Sequence, residues 1–506
     1  MAENLENRRG KISAPPCKEF VENVITPVIK GELETPYHAY QVYLDINKAH
    51  VLMLAKQGVI TEDVCKAILK VTDQMAKMGE MPTFEIDPSR EDFYFNLEHY
   101  LIEKVGLDIG GQQHTARSRN DLYATSARME ARYAFFDICK EFNKMRSTIL
   151  KIARENEDAV FAGYTHLQPS EPITFAHYCS AILGALQRDY RRLAEAYDDL
   201  NKNPLGGTSM GSTTFNIDRR MTARLLGFKG IVDNSIDCVA SRDYVTEILA
   251  AYSMAAITIS RFCTDLYIWN APDYGYVEVD DSCATCSSIM PQKKNPVTLE
   301  IAKAKAGHLE GFYVGALSVM KNIPYTLTCD LCYEAASYFN RATAEMKGSC
   351  QLVEASVRGL TIHKEHMLER AKSNFCTVTE LANALVRHDK ISFREAHEIV
   401  ALVVDYMLKN NKKSNEIGTK EVNLVFEKLF GKKTCMTDHD VQVALDPVLS
   451  VNARTVEGGS APSEVSRQLD NIAKQLEADI AQVNAREADI AAAKAELEAE
   501  VAKAIA

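Results

Sequence analysis

The sequence predicts an all-α protein organised around long bundled helices. From Phe175 the apolar residues Phe175, Cys179, Ile182, Leu186, Tyr190, Leu193, Tyr197 and Leu200 advance in steps of three and four, which places them on one helical stripe. No sustained two-residue alternation of β-branched side chains appears, so strands are not indicated. Neither G-x-G-x-x-G nor G-x-x-x-x-G-K-[ST] occurs, so no nucleotide cofactor is expected.

Taken in order, the N-terminus from Met1 to Arg9 is polar and lacks the apolar centre of an export signal. Helical patterns follow from Leu122 to Asn156, from Phe175, from Asp243 to Trp269 and from Pro296 to Lys321. A helix of some 35 residues is about 50 Å long, more than a compact domain needs, and such helices bundle, often between subunits. Turn signals divide them at Asn203-Pro-Leu-Gly-Gly207 and in a loop of about 20 residues from Ala271 through Pro291, a length typical of functional lids. The C-terminal stretch is rich in Ala, Glu and Lys and reads as a helical tail that packs on the body or a neighbouring subunit.

Across 506 residues the chain is 46% hydrophobic and 25% charged, a globular composition. Lys and Arg total 58 against 69 Asp and Glu, a net charge of −11 that repels nucleic acid and anionic membranes. The longest apolar run, near Leu249 to Ile259, is too short to span a bilayer, and the chain reads as cytoplasmic. Thirteen cysteines suit free thiols in a reducing compartment. Cys283/Cys286 and Cys329/Cys332 have C-x-x-C spacing, but the 42 residues between them exceed usual zinc-finger spacing, and no metal is assigned.

Against this acidic background Ser287-Ser-Ile-Met-Pro-Gln-Lys-Lys-Asn-Pro296 is a short island of hydroxyl, ammonium and amide groups, suited to a small anion. Two other segments share its character, His114-Thr-Ala-Arg-Ser-Arg-Asn-Asp121 and Gly163-Tyr-Thr-His-Leu-Gln168. Directional donors together with fixed cations are what a dicarboxylate requires. Taken singly, Ser118, Asn120 and Thr165 each fit a helix N-cap equally well.

Together the three segments resemble the fumarase/aspartase superfamily, whose G-S-S-x-M-P-x-K-x-N is matched by Cys286-Ser-Ser-Ile-Met-Pro-Gln-Lys-Lys-Asn295, with Cys for the usual Gly. Within it the likeness is to argininosuccinate lyases, whose H-T-G-R-S-R-N-D and G-Y-T-H-L-Q correspond to residues 114–121 and 163–168. The resemblance implies three helical parts, residues 1–114, 115–365 and 366–506, with the central bundle joined into a homotetramer whose active sites each draw on three subunits. It further implies anti elimination of an amine from an N-substituted aspartate, releasing fumarate. In that reaction Ser287 is the general base, and Lys293 and Asn295 hold the carboxylate that gains charge. Ser118, Arg119, Asn120 and Thr165 grip the succinyl group. His166 assists protonation of the leaving amine, Glu300 orients the histidine, and Arg242 is a further substrate contact.

The amine end departs from the family. L-P-x-T-Y-N-K-D-L-Q-E-D-K becomes Ile323-Pro-Tyr-Thr-Leu-Thr-Cys-Asp-Leu-Cys-Tyr-Glu-Ala335, which puts Leu327, Cys332 and Ala335 where Tyr, Gln and Lys are usual. In E-D-x-H-M the histidine is replaced by Tyr94. Lost hydrogen-bond partners penalise a zwitterionic arginine, so the expected substrate is another N-substituted aspartate, as in ethylenediamine-disuccinate lyase. The alternatives are a true argininosuccinate lyase with an altered pocket, a crystallin-like structural homologue and a zinc-binding module.

Overall fold

The computed structural model describes residues 15–506, and the polar segment from Met1 to Arg9 lies outside them. Among the described residues the fold is all-α, with four short two-stranded ribbons and no helix long and apolar enough to cross a membrane. In the N-terminal part, α1 (Thr26–Glu34), α2 (Ala39–Lys56), α3 (Glu62–Ala76) and α4 (Phe93–Val105) enclose one apolar core.

The central part is a ring of five long helices. They are α5 (Arg119–Glu155), α6 (Phe175–Glu195), α7 (Asp243–Asn270), α8 (Val297–Met320) and α9 (Ala335–Arg358). Each packs against the next and α9 closes back on α5. α5 starts at Ser118, where the hydroxyl accepts from a first-turn N–H and the Asp121 carboxylate accepts from the Ser118 N–H, a capping box. The stripe read from the sequence of α6 is buried at Phe175, Cys179, Leu186, Tyr190 and Leu193, with Ile182 half-buried. Its N-cap, Thr174, accepts from the His177 N–H at 3.0 Å. Between α5 and α6 the ribbon β1 (Val160–Thr165) and β2 (Gln168–Thr174) projects from the bundle.

A third core gathers α10 (Val378–Asp389), α11 (Phe393–Lys409), α12 (Thr419–Phe430) and α13 (Asp438–Leu445). The last helix, α14 (Pro462–Ile505), leaves this core and runs along the body. It places Val465, Leu469, Val483 and Ile490 in the bundle core and Leu497 and Val501 in the N-terminal core. Arg146 to Asp479 at 2.8 Å, Lys494 to Asp45 at 2.7 Å and Lys48 to Glu498 at 2.8 Å fasten it. The tail therefore joins two cores.

The long connection after α7 is more ordered than its composition suggests. Val277–Glu278 pairs with Thr361–Ile362, and β3 (Thr285–Cys286) pairs with β4 (Lys294–Asn295). The longest unpaired stretch is thus 287–293. Cys286, which stands where the family has Gly, lies in extended strand backbone that any residue adopts, so no glycine is required there.

Candidate active site

At the start of α5 the donors are held in place by backbone and carboxylate anchors. Asp121, fully buried, accepts from the N–H groups of Ser118 at 3.0 Å, Gly206 at 2.8 Å and Thr208 at 2.9 Å. Burial nevertheless pushes its carboxyl up to about 6. Arg119 pairs with Asp92 at 2.6 Å and Glu91 at 3.4 Å, and its guanidinium lies 4.2 Å from the centre of the Phe95 ring. Asn120 donates to the Ser209 carbonyl at 3.1 Å, so this end of the helix and the loop at 206–212 form one unit. Arg242, 4% exposed, donates from Nη1 to the Ser241 carbonyl at 2.6 Å and leaves Nη2 buried without a protein partner.

The β1–β2 ribbon closes through a two-residue turn in which Thr165 pairs with Gln168 and both His166 and Leu167 have positive φ, 55° and 57°. Such a turn normally uses Asn or Gly, and each non-glycine residue held there costs about 1–3 kcal/mol. The turn places the exposed His166 at its tip.

The loop joining β3 to β4 folds around its serine. Ser287 Oγ accepts from the N–H groups of Ile289 at 3.3 Å and Met290 at 3.0 Å, while the Ser287 N–H donates to the Lys293 carbonyl at 3.2 Å. Two N–H dipoles aimed at one hydroxyl oxygen stabilise its deprotonated form. These are backbone donors of the kind a serine base requires. Lys294, the second ammonium of this segment, is paired with Asp281 at 2.7 Å and Glu278 at 2.9 Å, which hold its ammonium above the ordinary range. Lys293 is exposed and forms no ion pair among the described residues. Asn295 is half-buried in β4, and Glu300 is exposed in the first turn of α8.

Within one chain these groups fall at opposite ends of the bundle. α5 carries Ser118 at its start and leads to Thr165 and His166 beyond its end; its 37 residues measure about 55 Å. α7 likewise begins after Arg242 and leads to Ser287, and α8 begins after Asn295 and leads to Leu327. Cross-links confirm which ends coincide. Tyr164 and Tyr276 hydroxyls meet at 2.6 Å at the His166 and Ser287 end, whereas Arg128 reaches Ser241 at 3.0 Å at the other.

Of the four residues assigned to the amine pocket, Tyr94 is fully buried, with its hydroxyl accepting from Arg117 at 2.6 Å. Leu327 packs against Val232, Cys238 and Val239, and Ala335 is buried at the start of α9. Cys332 alone faces a cavity. All thirteen cysteines are free, and the two C-x-x-C pairs lie at opposite ends of α8, too far apart to share one ion.

Comparison with known proteins agrees with this architecture. Residues 33–311 match the family model described as lyase, and residues 375–452 match that of the argininosuccinate lyase C-terminal region. The chain is 43% identical to argininosuccinate lyase 1 of Shouchella clausii (strain KSM-K16) over 475 residues, 94% of this chain and 95% of that protein. It belongs to the fumarase/aspartase superfamily, in the argininosuccinate lyase-like subgroup. As a member it is a fumarate-forming carbon–nitrogen lyase. Argininosuccinate lyase of Methanosarcina acetivorans is 33% identical over 479 residues, 94% of each chain. Among solved structures, an EDDS lyase variant with bound fumarate superposes with a TM-score of 0.83 at 30% identity, covering 97% of both chains.

Proposed function

We propose that the enzyme eliminates an amine other than arginine from an N-substituted L-aspartate, and that its sites are assembled from three protomers of a homotetramer. The observation that carries this reading is the separation of the two residue groups by the length of the bundle, which only a neighbouring copy can close. Exposed apolar side chains on two ring helices, Met254 and Ile257 of α7 and Ile301, Val314 and Leu317 of α8, supply a surface for such a copy.

In the assembled site Ser287 takes the Cβ proton. The two N–H groups on its oxygen offset the cost of the alkoxide. As that proton leaves, charge builds on the adjacent carboxylate, where Lys293 and Asn295 act. Ser118, Arg119, Asn120 and Thr165 position the succinyl group and Arg242 contributes a further donor. The C–N bond then breaks, and the departing nitrogen gains a proton with the help of His166, which Glu300 orients. The segment closing Ser287 over substrate is the seven residues 287–293, a lid that excludes water when shut. Free cysteines throughout support a reducing compartment, in keeping with the cytoplasm.

The choice against arginine rests on Cys332, which lines a cavity and offers no strong donor or cation to an arginine carboxylate. Fumarate release, followed by its ultraviolet absorbance, tests this directly. Turnover of argininosuccinate at an ordinary rate would overturn the choice of amine while leaving the elimination itself intact.

A further inference from the structure

A cavity of about 340 Å³ opens beside the succinyl-binding end of the bundle, within the size range of small-ligand pockets. Two π-helical turns, Val21–Ile25 and Asp330–Glu334, both contribute to its wall, through Asn23 and Val24 and through Cys332, Tyr333 and Glu334. Such turns concentrate at functional sites because the extra residue redirects side chains. Tyr123 links the cavity to the succinyl grip, since it lines the wall and its hydroxyl donates to Asp92, the partner of Arg119.

Two residues of this wall each carry a buried atom without a partner. Glu32 accepts from the Tyr43 hydroxyl at 2.7 Å through Oε1, but its Oε2 is buried with no donor. Arg242 Nη2 is buried with no acceptor. A second carboxylate, Glu130, lines the same wall. Burial pushes Glu32 and Glu130 each up to about 8, and the negative charges of Asp92 on Glu32 and of Glu32 on Glu130 raise them further. A bound cation would relieve both effects at once. Tyr43, Tyr123 and Tyr333 also line the cavity, aromatic side chains of the kind that attract cations.

We propose that this cavity receives the amine half of the substrate, and that Glu32 and Glu130 hold a second positive charge on that half, so the leaving amine is itself a cation beyond its reacting nitrogen. Arg242 Nη2 then meets the α-carboxylate beside the leaving nitrogen. The assignment rests on the lyase reading above and adds the recognition of the amine to it.

The test compares 1,4-diaminobutane with n-butylamine, of similar length but with one ammonium, as partners for fumarate in the reverse reaction. The wild-type enzyme is expected to prefer the diamine about tenfold to a hundredfold in kcat/KM, the effect of one charge-assisted hydrogen bond. Glu32→Gln and Glu130→Gln, and the milder Glu130→Asp, should shrink that ratio towards one, with circular dichroism confirming the fold. Equal use of both amines by the wild type, or a preference that survives in Glu130→Gln, overturns the assignment. Calorimetry with succinate in place of fumarate reads binding without turnover. Diamine binding lost in Glu130→Gln supports the cavity even if no amine reacts, in which case it is the lyase reading that fails. No diamine binding to the wild type sinks the assignment itself.

Discussion

Mixing two inactive variants should restore activity. Asn120→Ala removes a donor at the start of α5 and Ser287→Ala removes the proposed base at the other end of the bundle. The 37 residues of α5 hold the two ends about 55 Å apart, and no motion of a seven-residue loop spans that distance. In the proposed assembly each site therefore takes Asn120 and Ser287 from different protomers. In tetramers refolded from an equal mixture, each residue is intact half the time, so about a quarter of the sites carry both. The assay is fumarate formation per milligram, with each variant bearing its own affinity tag to prove that subunits have exchanged. Activity near a quarter of wild type is expected. If the mixture stays as inactive as its parents while the tags co-purify, the site lies within one chain and the reasoning fails.

Three further outcomes follow from single contacts. Ser287→Ala should lower kcat on the order of a hundredfold to ten-thousandfold, the usual contribution of a general base, while equilibrium dialysis still detects fumarate binding. Asp121 is fully buried and its carboxyl lies near 6 when folded against an ordinary value of 3.8, so its favourable contribution is complete below about pH 4 and is lost as pH rises through 6. The loss amounts to about 3 kcal/mol at most, and urea titrations of Asp121→Asn should show a flatter stability profile than wild type between those pH values. Asp479→Ala strands the fully buried Arg146 guanidinium, which pairs with it at 2.8 Å. That should cost about 3–5 kcal/mol, read as a lower denaturation midpoint, and an unchanged midpoint would mean α14 is not fastened there.

Much of the fold was legible because helices announce themselves locally. The stripe of α6 and the ends of α5, α7 and α8 follow from spacing and capping residues close in sequence, and the structure moves those ends by at most a few residues. The course of α14 was less legible. Its composition specifies helix, but which cores receive Leu469 and Leu497 depends on partners more than a hundred residues away. The ordering of the loop after α7 was not legible, since pairing of Thr285–Cys286 with Lys294–Asn295 is too short to leave an alternating pattern.

The sequence by itself determined the helical class, the family and the identity of the donor-rich segments, because these reside in residue types and local order. Only the tertiary structure decided what state each group is in. It showed that Lys294 is neutralised by Asp281 and Glu278, and that two N–H groups converge on Ser287 Oγ. It also set Glu32 and Glu130, distant in sequence, around one cavity with the unpartnered Arg242 Nη2. Electrostatic neighbours are fixed by packing between elements far apart in the chain, and ionisation responds to those neighbours rather than to sequence order.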